Sequence, residues 1–391
     1  MLIVIDADIS QYPPSLNAAE LLCDAGVELT IVTRSAGPLR HPFSQSIRLR
    51  PVSPSGTGAV RLGRFTDQVI RAALRTRPRL IIGYDFTGAL AARAAQHWLR
   101  STGVGRPALV YHNHDPVAWE KKPGFRRHGR LLERRLARAA DLVIVPDEQR
   151  ARWFASFHEL GSIPTVVRNC PRLNRRRPRP VLRNRLRALG FDFRYIVLRQ
   201  QSRIGPGHGI EAILRSMSGW PDDTGLVLLG AEGVPGYVDS VARLAAECRV
   251  AGRLAVLPRV PYHELFDYTA DADIGLAVYE NAGLNHLYSA GASNKLYEYA
   301  AAGVPVIASA DLPGYRDIVE GQGIGRCVSL GLPEQIAHAV RDLRTGPLHD
   351  RCARQGRALH ASEWNYEHQF SPVLDLVAAV DGITRRGRVR P

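Results

Sequence analysis

The chain has 391 residues, 45% hydrophobic and 23% charged, with a formal net charge of +15 at pH 7. That is an ordinary globular composition, and its length leaves room for two hydrophobic cores. No apolar run approaches the roughly 18 residues of a membrane-spanning helix, and five scattered cysteines (Cys23, Cys170, Cys248, Cys327, Cys352) without a C-x-x-C pair argue for reduced thiols and against a disulfide frame or zinc site.

In chain order, short apolar runs alternate with helical patterns, the signature of βαβ units and parallel sheets. "MLIVIDADIS" has no basic leader and reads as a first strand rather than a signal peptide; the reduced thiols carry the expectation of a cytoplasmic chain. Strands are predicted at 2–6, 28–33, 46–52, 79–85, 108–113, 141–147 and 165–169. Helices are predicted near 15–25, 61–76, 87–100, 126–140 and 148–158. The basic, proline-broken stretch 170–185 carries no apolar period and reads as a linker. Strands resume at 195–201, 225–230, 254–260, 273–279, 304–309 and 325–330; the last 60 residues read as helical, ending in a basic tail. The expected division is 1–180, 181–370 and a terminal piece 371–391, with two doubly wound parallel-sheet domains facing a cleft, where ligands sit beyond the carboxyl ends of the strands.

The charge is uneven. Residues 1–180 carry 29 Lys+Arg against 14 Asp+Glu, whereas 181–391 carry 23 of each. Such a field favours an acidic partner: a membrane surface, a phosphorylated acceptor or nucleic acid. Nucleic acid is the weakest of these, because the basic segments lack interleaved aromatics for base stacking.

The most informative stretch is "SNKLYEYAAAGVPVIAS", 293–309. "VPVIAS" is a buried parallel strand by its β-branched run. "KLYEYAAAG" is a helix with Leu296, Tyr299 and Ala300 on one face and Gly303 just past its end. With Ser293 or Asn294 as cap, the helix start attracts an anion, and Lys295 adds a point charge. Glu298 lies one turn further in. A capping box does not explain it, because the third residue after either cap is apolar or aromatic; it is either a ligand for a group attached to that anion or a solvated surface acid.

Three further segments stand out. "QQSRIGPGHGIEAIL" (200–214) leads from a strand through glycines to a helix, a weak phosphate-loop signal by itself. "YHNHDPVAWEKK" (111–122) puts His112, His114 and Asp115 at a strand's carboxyl end, as a catalytic pair, a metal fragment or turn residues; no further ligands at suitable spacing favour zinc. In 121–145, Leu131, Leu132 and Leu136 form an apolar stripe amid Arg126, Arg127, Arg130, Arg134, Arg135 and Arg138. That is either a docking face for anionic lipid or an acidic acceptor, or a core helix with a solvated face. "DAD" at 6–8 and 271–273 flanks apolar strands and is set aside as a metal motif.

The 293–309 stretch, with "DLPGYRDIVEGQGIGRCV" (311–328), resembles the donor-site segment of glycosyltransferase family 4, and within it the members with an N-K-L-x-E-Y core. The resemblance implies a GT-B fold, two Rossmann-like domains whose C-terminal helices can cross back. It also implies retaining transfer of a sugar from a nucleoside-diphosphate donor without a metal or cofactor. Carried over, Glu298 holds the ribose hydroxyls, and Asn294, Lys295 and the Leu296 amide lie by the diphosphate. Segment 200–214 resembles the family's "GRLxxxKG" loop: Ser202 stands where Gly is usual, Arg203 matches the Arg, and His208, before Gly209, replaces the second cation. His114 and Asp115 match a His-acid pair that faces the donor sugar. A second Glu, eight residues before the helix Glu, is Ala290 here, so sugar contacts are expected from backbone amides of 281–293.

The expectation is therefore a glycosyltransferase whose basic first half takes an acceptor, anionic or lipid-linked, and which touches a membrane's inner face through 121–138. The competing readings are a sugar-nucleotide epimerase or phosphorylase, and a non-catalytic basic lipid- or nucleic-acid-binding protein.

Overall fold

A computed structural model describes residues 1–35, 43, 45–53, 56–119, 124, 126–174 and 176–381; Arg126, Gln201, Ser202 and Asp381 are described by backbone alone. Lys121 and Lys122 of the basic segment therefore lie outside the described residues, as does the terminal tail. The chain divides into two compact units, Met1–Arg168 with the segment from Tyr366 onward, and Asn169–Asn365.

In the first unit the strands are β1 (Leu2–Ile5), β2 (Leu29–Arg34), β3 (Ile47–Val52), β4 (Leu80–Tyr84), β5 (Ala108–His112), β6 (Leu142–Val145) and β7 (Thr165–Val166). They form one sheet in the order β3-β2-β1-β4-β5-β6-β7, parallel throughout. The helices are α1 (Pro13–Asp24), α2 (Gly58–Thr76), α3 (Asp85–Ser101), α4 (Arg126–Ala139) and α5 (Glu148–Phe157). The continuous apolar runs of β1 and β4 have every residue buried, as expected of strands covered on both faces.

The second unit holds α6 (Val181–Ala188), β8 (Tyr195–Ile204), α7 (Ile210–Ser216), β9 (Thr224–Glu232), α8 (Tyr237–Glu247), β10 (Leu254–Leu257), α9 (Tyr262–Ala270), β11 (Ile274–Ala277) and α10 (Leu284–Leu287). Then follow α11 (Asn294–Ala302), β12 (Val306–Ser309), α12 (Tyr315–Val319), β13 (Gly325–Val328), α13 (Pro333–Leu343) and α14 (Pro347–Ser362). Its strands run β10-β9-β8-β11-β12-β13, again parallel. The order reverses between β8 and β11, so the carboxyl ends of those two strands bound the crevice in which such sheets take ligands. The last helices, α15 (Tyr366–Gln369) and α16 (Ser371–Asp381), belong to the first unit. There the Gln369 side chain accepts from the Arg168 amide at 3.2 Å.

Among the described residues, all thirteen strands fall on the predicted runs. The stretch 170–185 differs: it belongs to the second unit and is not a free linker. Cys170 and Leu182 are buried, and Arg176 and Arg179 pair with the buried carboxylate of Asp267 at 2.6 and 3.2 Å. Arg176, Arg179 and Arg183, which suggested a solvated segment, are matched by acids distant in sequence. The observed boundary accordingly lies at Arg168/Asn169, and the return to the first unit at Tyr366.

Candidate functional site

In the second unit, α11 packs closely on the sheet through Tyr299. A Cβ on Gly275 of β11 would sit 2.3 Å from the Tyr299 ring, so glycine there admits the aromatic, whose hydroxyl donates to Leu198 O at 2.9 Å. Gly303 ends the helix in the left-handed region, φ +70°. The N-cap is Ser293, yet its hydroxyl makes no capping bond; it lies 3.1 Å from the Tyr279 hydroxyl instead. Asn294 opens the helix, and its Oδ1 is buried without a hydrogen-bond partner.

Glu298 does not extend into solvent. It is half-buried, and Gln200 on β8 donates from Nε2 to its Oε2 at 2.6 Å. Gln200 is itself oriented by the Thr269 hydroxyl, which donates to its Oε1 at 2.6 Å. Burial raises the carboxyl to about 7 against the opposing pull of Lys295 and Gln200. Lys295 donates from Nζ to the Tyr279 hydroxyl at 2.6 Å, with Nζ 4.8 Å from that ring's centroid. Burial would push the Tyr279 phenol up, but Lys295 and Arg199 outweigh it and hold the group below its usual range.

The glycine loop after β8 bends through Gly207 (φ +82°) and Gly209 (φ +66°), positions that would strain any other residue. His208 is pinned through Nδ1 to Gly205 O at 3.0 Å, and burial, with Arg199 and Lys295 nearby, lowers it to about 3. It is therefore uncharged near neutral pH and does not stand in for the Lys or Arg that the resembling loop carries. Arg203 is exposed and lies beyond a bulge in β8, opposite Ala231 of β9.

The loop 280–293 also differs from expectation. The amides of Ala282, His286, Leu287 and Tyr288 bond carbonyls of Glu280, Gly283 and Leu284, because α10 forms there, and so are already used inside the segment. Ala290 is fully buried. What the loop presents is His286, whose ring lies 5.2 Å from His208 and 5.5 Å from Tyr279. Sequence reasoning missed Arg199, Gln200, Tyr279 and His286. The only available signal for the first two was a pair of polar residues at the end of an otherwise apolar strand.

In the first unit, His114 and Asp115 follow β5. Their amides both donate to Asp85 Oδ1 at 2.8 Å, and Asp85 adopts φ +52° to receive them. Burial, with Asp115 adding to it, lifts Asp85 to about 7. The carbonyl of His114 accepts from Arg150. The His114 ring is edge-on to Tyr12 at 5.5 Å, while Asp115 is exposed. His112 is fully buried against Tyr84, and burial lowers it to about 3.

Helix α4 reverses part of its reading. Only Leu136 of the predicted stripe is buried; Leu131 and Leu132 are 43% and 40% exposed. The inward face instead carries Gly129, against which Trp119 packs, and Glu133, which accepts from the Tyr111 hydroxyl at 2.6 Å. Arg130 donates to Phe157 O and Arg134 pairs with Glu159 at 2.6 Å, so part of the basic stripe is structural.

Both D-x-D motifs are occupied by arginines: Asp6 pairs with Arg34 and Arg61, Asp271 and Asp273 with Arg183. Among the described residues no three His, Cys, Asp or Glu side chains cluster as metal ligands, and no helix is long and apolar enough to cross a membrane.

Residues 15–170 match the model of a glycosyl transferase 4-like domain, and residues 189–359 match that of the glycosyl transferases group 1. No curated protein sequence matches the chain. Among solved structures, HepE from Anabaena, in complex with UDP and glucose, is 16% identical with a TM-score of 0.76, over 97% of this chain and 99% of that one. Sucrose-phosphate synthase from Thermosynechococcus elongatus is 17% identical with a TM-score of 0.73, over 98% and 99%. WaaG, a glycosyltransferase involved in lipopolysaccharide biosynthesis, is 15% identical with a TM-score of 0.67, over 98% and 100%.

Proposed function

The chain belongs to the glycosyltransferases of the GT-B fold, joining a 4-like and a group 1 domain, and we propose that it transfers a sugar from a nucleoside diphosphate to an acceptor with retention and without a metal ion. The observation that carries the donor assignment is Glu298. Its carboxylate is turned into the second unit, held through one oxygen by Gln200, one turn beyond a helix N-terminus flanked by Lys295. That leaves Oε1 for a ribose diol, beside amides and an ammonium suited to phosphate oxygens. The HepE complex, with UDP and glucose, is in keeping with such a donor.

In this reading negative charge gathers on the diphosphate as the bond to the sugar carbon breaks. Lys295, the start of α11 with Asn294, and Arg203 stabilise it more in the transition state than in the ground state; the Leu296 amide, assigned to the phosphates by the resemblance, instead donates to Ser293 O at 3.0 Å. Gly209 and the backbone at Ser202 shape the loop, and His208 serves as a neutral hydrogen-bonding group. His114 and Asp115, fixed through their backbone by Asp85, are the polar pair that the first unit offers a substrate. The acceptor is anionic or lipid-linked, and the exposed Leu131 and Leu132 beside Arg127 and Arg135 support a peripheral contact with an anionic membrane at its cytoplasmic face.

The test is turnover of UDP-, GDP- and ADP-sugars with a lipid-linked acceptor in excess chelator, with the product anomer read by NMR. Retained configuration with chelator present is expected. An inverted product, a chelator-sensitive rate, or donor conversion that needs no acceptor would overturn the reading.

A further inference from the structure

Arg199 lies on β8 with no solvent exposure. Its Nη1 donates to Leu276 O at 3.1 Å, while Nε and Nη2 are buried and have no hydrogen-bond partner among the described residues. The polar groups that act on it most are the phenols of Tyr279, Tyr299, Tyr315 and Tyr237, and not a carboxylate. A guanidinium removed from water without a counter-ion is costly to the fold, and burial does pull this one below its ordinary value. Such a group is retained where something outside the unliganded chain offsets it.

Its position indicates what that is. Two cations lie close to the Tyr279 ring, with Arg199 Cζ 5.5 Å and Lys295 Nζ 4.8 Å from its centroid. His208 lies 5.8 Å from the same ring, at the place where the resembling loop carries a second cation, and it is uncharged. Among the carboxylates near by, Glu298 faces Lys295 and is tied to Gln200, and Glu280 acts on His286. Two positive charges thus meet one phenol near the carboxyl ends of β8 and β11, and the groups that act most on Arg199 include no carboxylate.

We propose that Arg199 and Lys295 are the buried and half-buried parts of a diphosphate-binding site, with Arg199 supplying from beside Tyr279 the second positive charge that His208 does not. This rests on the donor reading above. Arg199 is a positioning residue: it acts through Tyr279 and through its field, which is weakly screened in a water-poor layer.

The test compares the full chain with Arg199→Met and His208→Gln by calorimetric titration and thermal melting, using inorganic pyrophosphate, UDP, GDP and ADP, with uridine as an uncharged control. Arg199→Met should weaken pyrophosphate and the preferred nucleoside diphosphate by about 10-fold or more, a larger loss than in His208→Gln, and leave uridine binding as it was. It should also melt higher than wild type without ligand, because an unmatched buried charge has gone. Unchanged diphosphate affinity, an equal loss for uridine, or a lower melting temperature in Arg199→Met overturns the proposal, the last marking a purely structural role. A wild-type chain that binds pyrophosphate through Arg199 but no nucleoside diphosphate would sink the donor reading and leave this inference standing.

Discussion

Gln200 and Glu298, ninety-eight residues apart, meet at 2.6 Å. The contact holds the carboxylate by one oxygen inside a partly buried site, so its charge state sets donor binding. With the carboxyl raised to about 7, diol binding requires ionisation, and donor affinity should increase as pH rises through about 7. Stability runs the other way. The unfolded chain ionises this group near 4.5, so the folded state binds the extra proton between that value and 7, and stability falls as pH rises across the window. Glu298→Gln should flatten both trends, as read by titration calorimetry and urea unfolding at pH 5 and 8.

Tyr279→Phe keeps the ring and removes the hydroxyl that accepts from Lys295 Nζ and contacts Ser293. The loss of one charge-assisted bond amounts to about 1.5–3 kcal/mol. The expected outcome is about a 10-fold drop in kcat/KM for the donor, because Lys295 is no longer held. An unchanged rate would mean that Lys295 needs no such anchor.

Asp267→Ala should act on stability alone. Its buried carboxylate accepts from the amide and guanidinium of Arg179 and from Arg176, fastening the stretch after Cys170 to α9. Both arginines reach solvent once released, so the cost is about 1–3 kcal/mol rather than that of a stranded buried charge. Chemical unfolding should show the loss, with diphosphate affinity unaltered.

Helix α4 predicts a salt-sensitive surface. Leu131→Ser with Leu132→Ser should weaken co-sedimentation with vesicles containing phosphatidylglycerol, and Arg127→Glu with Arg135→Glu should abolish it, without changing the melting temperature. Binding equal to wild type in both pairs would remove the membrane from the account.

Glu133 shows where periodicity misleads. The alternative of a core helix would turn Leu131 and Leu132 inward, but the space beneath α4 is filled by Trp119 against Gly129, and a buried carboxylate bonds Tyr111. Those partners come from other elements, so nothing within the helix announces them. The linker failed for the same reason: Arg176 and Arg179 read as solvated until Asp267 is placed beside them.

The sequence by itself determined the thirteen parallel strands, the helix bearing Glu298 and the concentration of positive charge in the first half. Each of these depends on local periodicity or on composition. Tertiary structure alone decided which cations are live. His208 is silenced by burial, Arg199 is buried unmatched, and Lys295 is joined to Tyr279. Charge state depends on solvent access and on neighbours brought in from other strands, and neither is encoded in the spacing of residues along one segment.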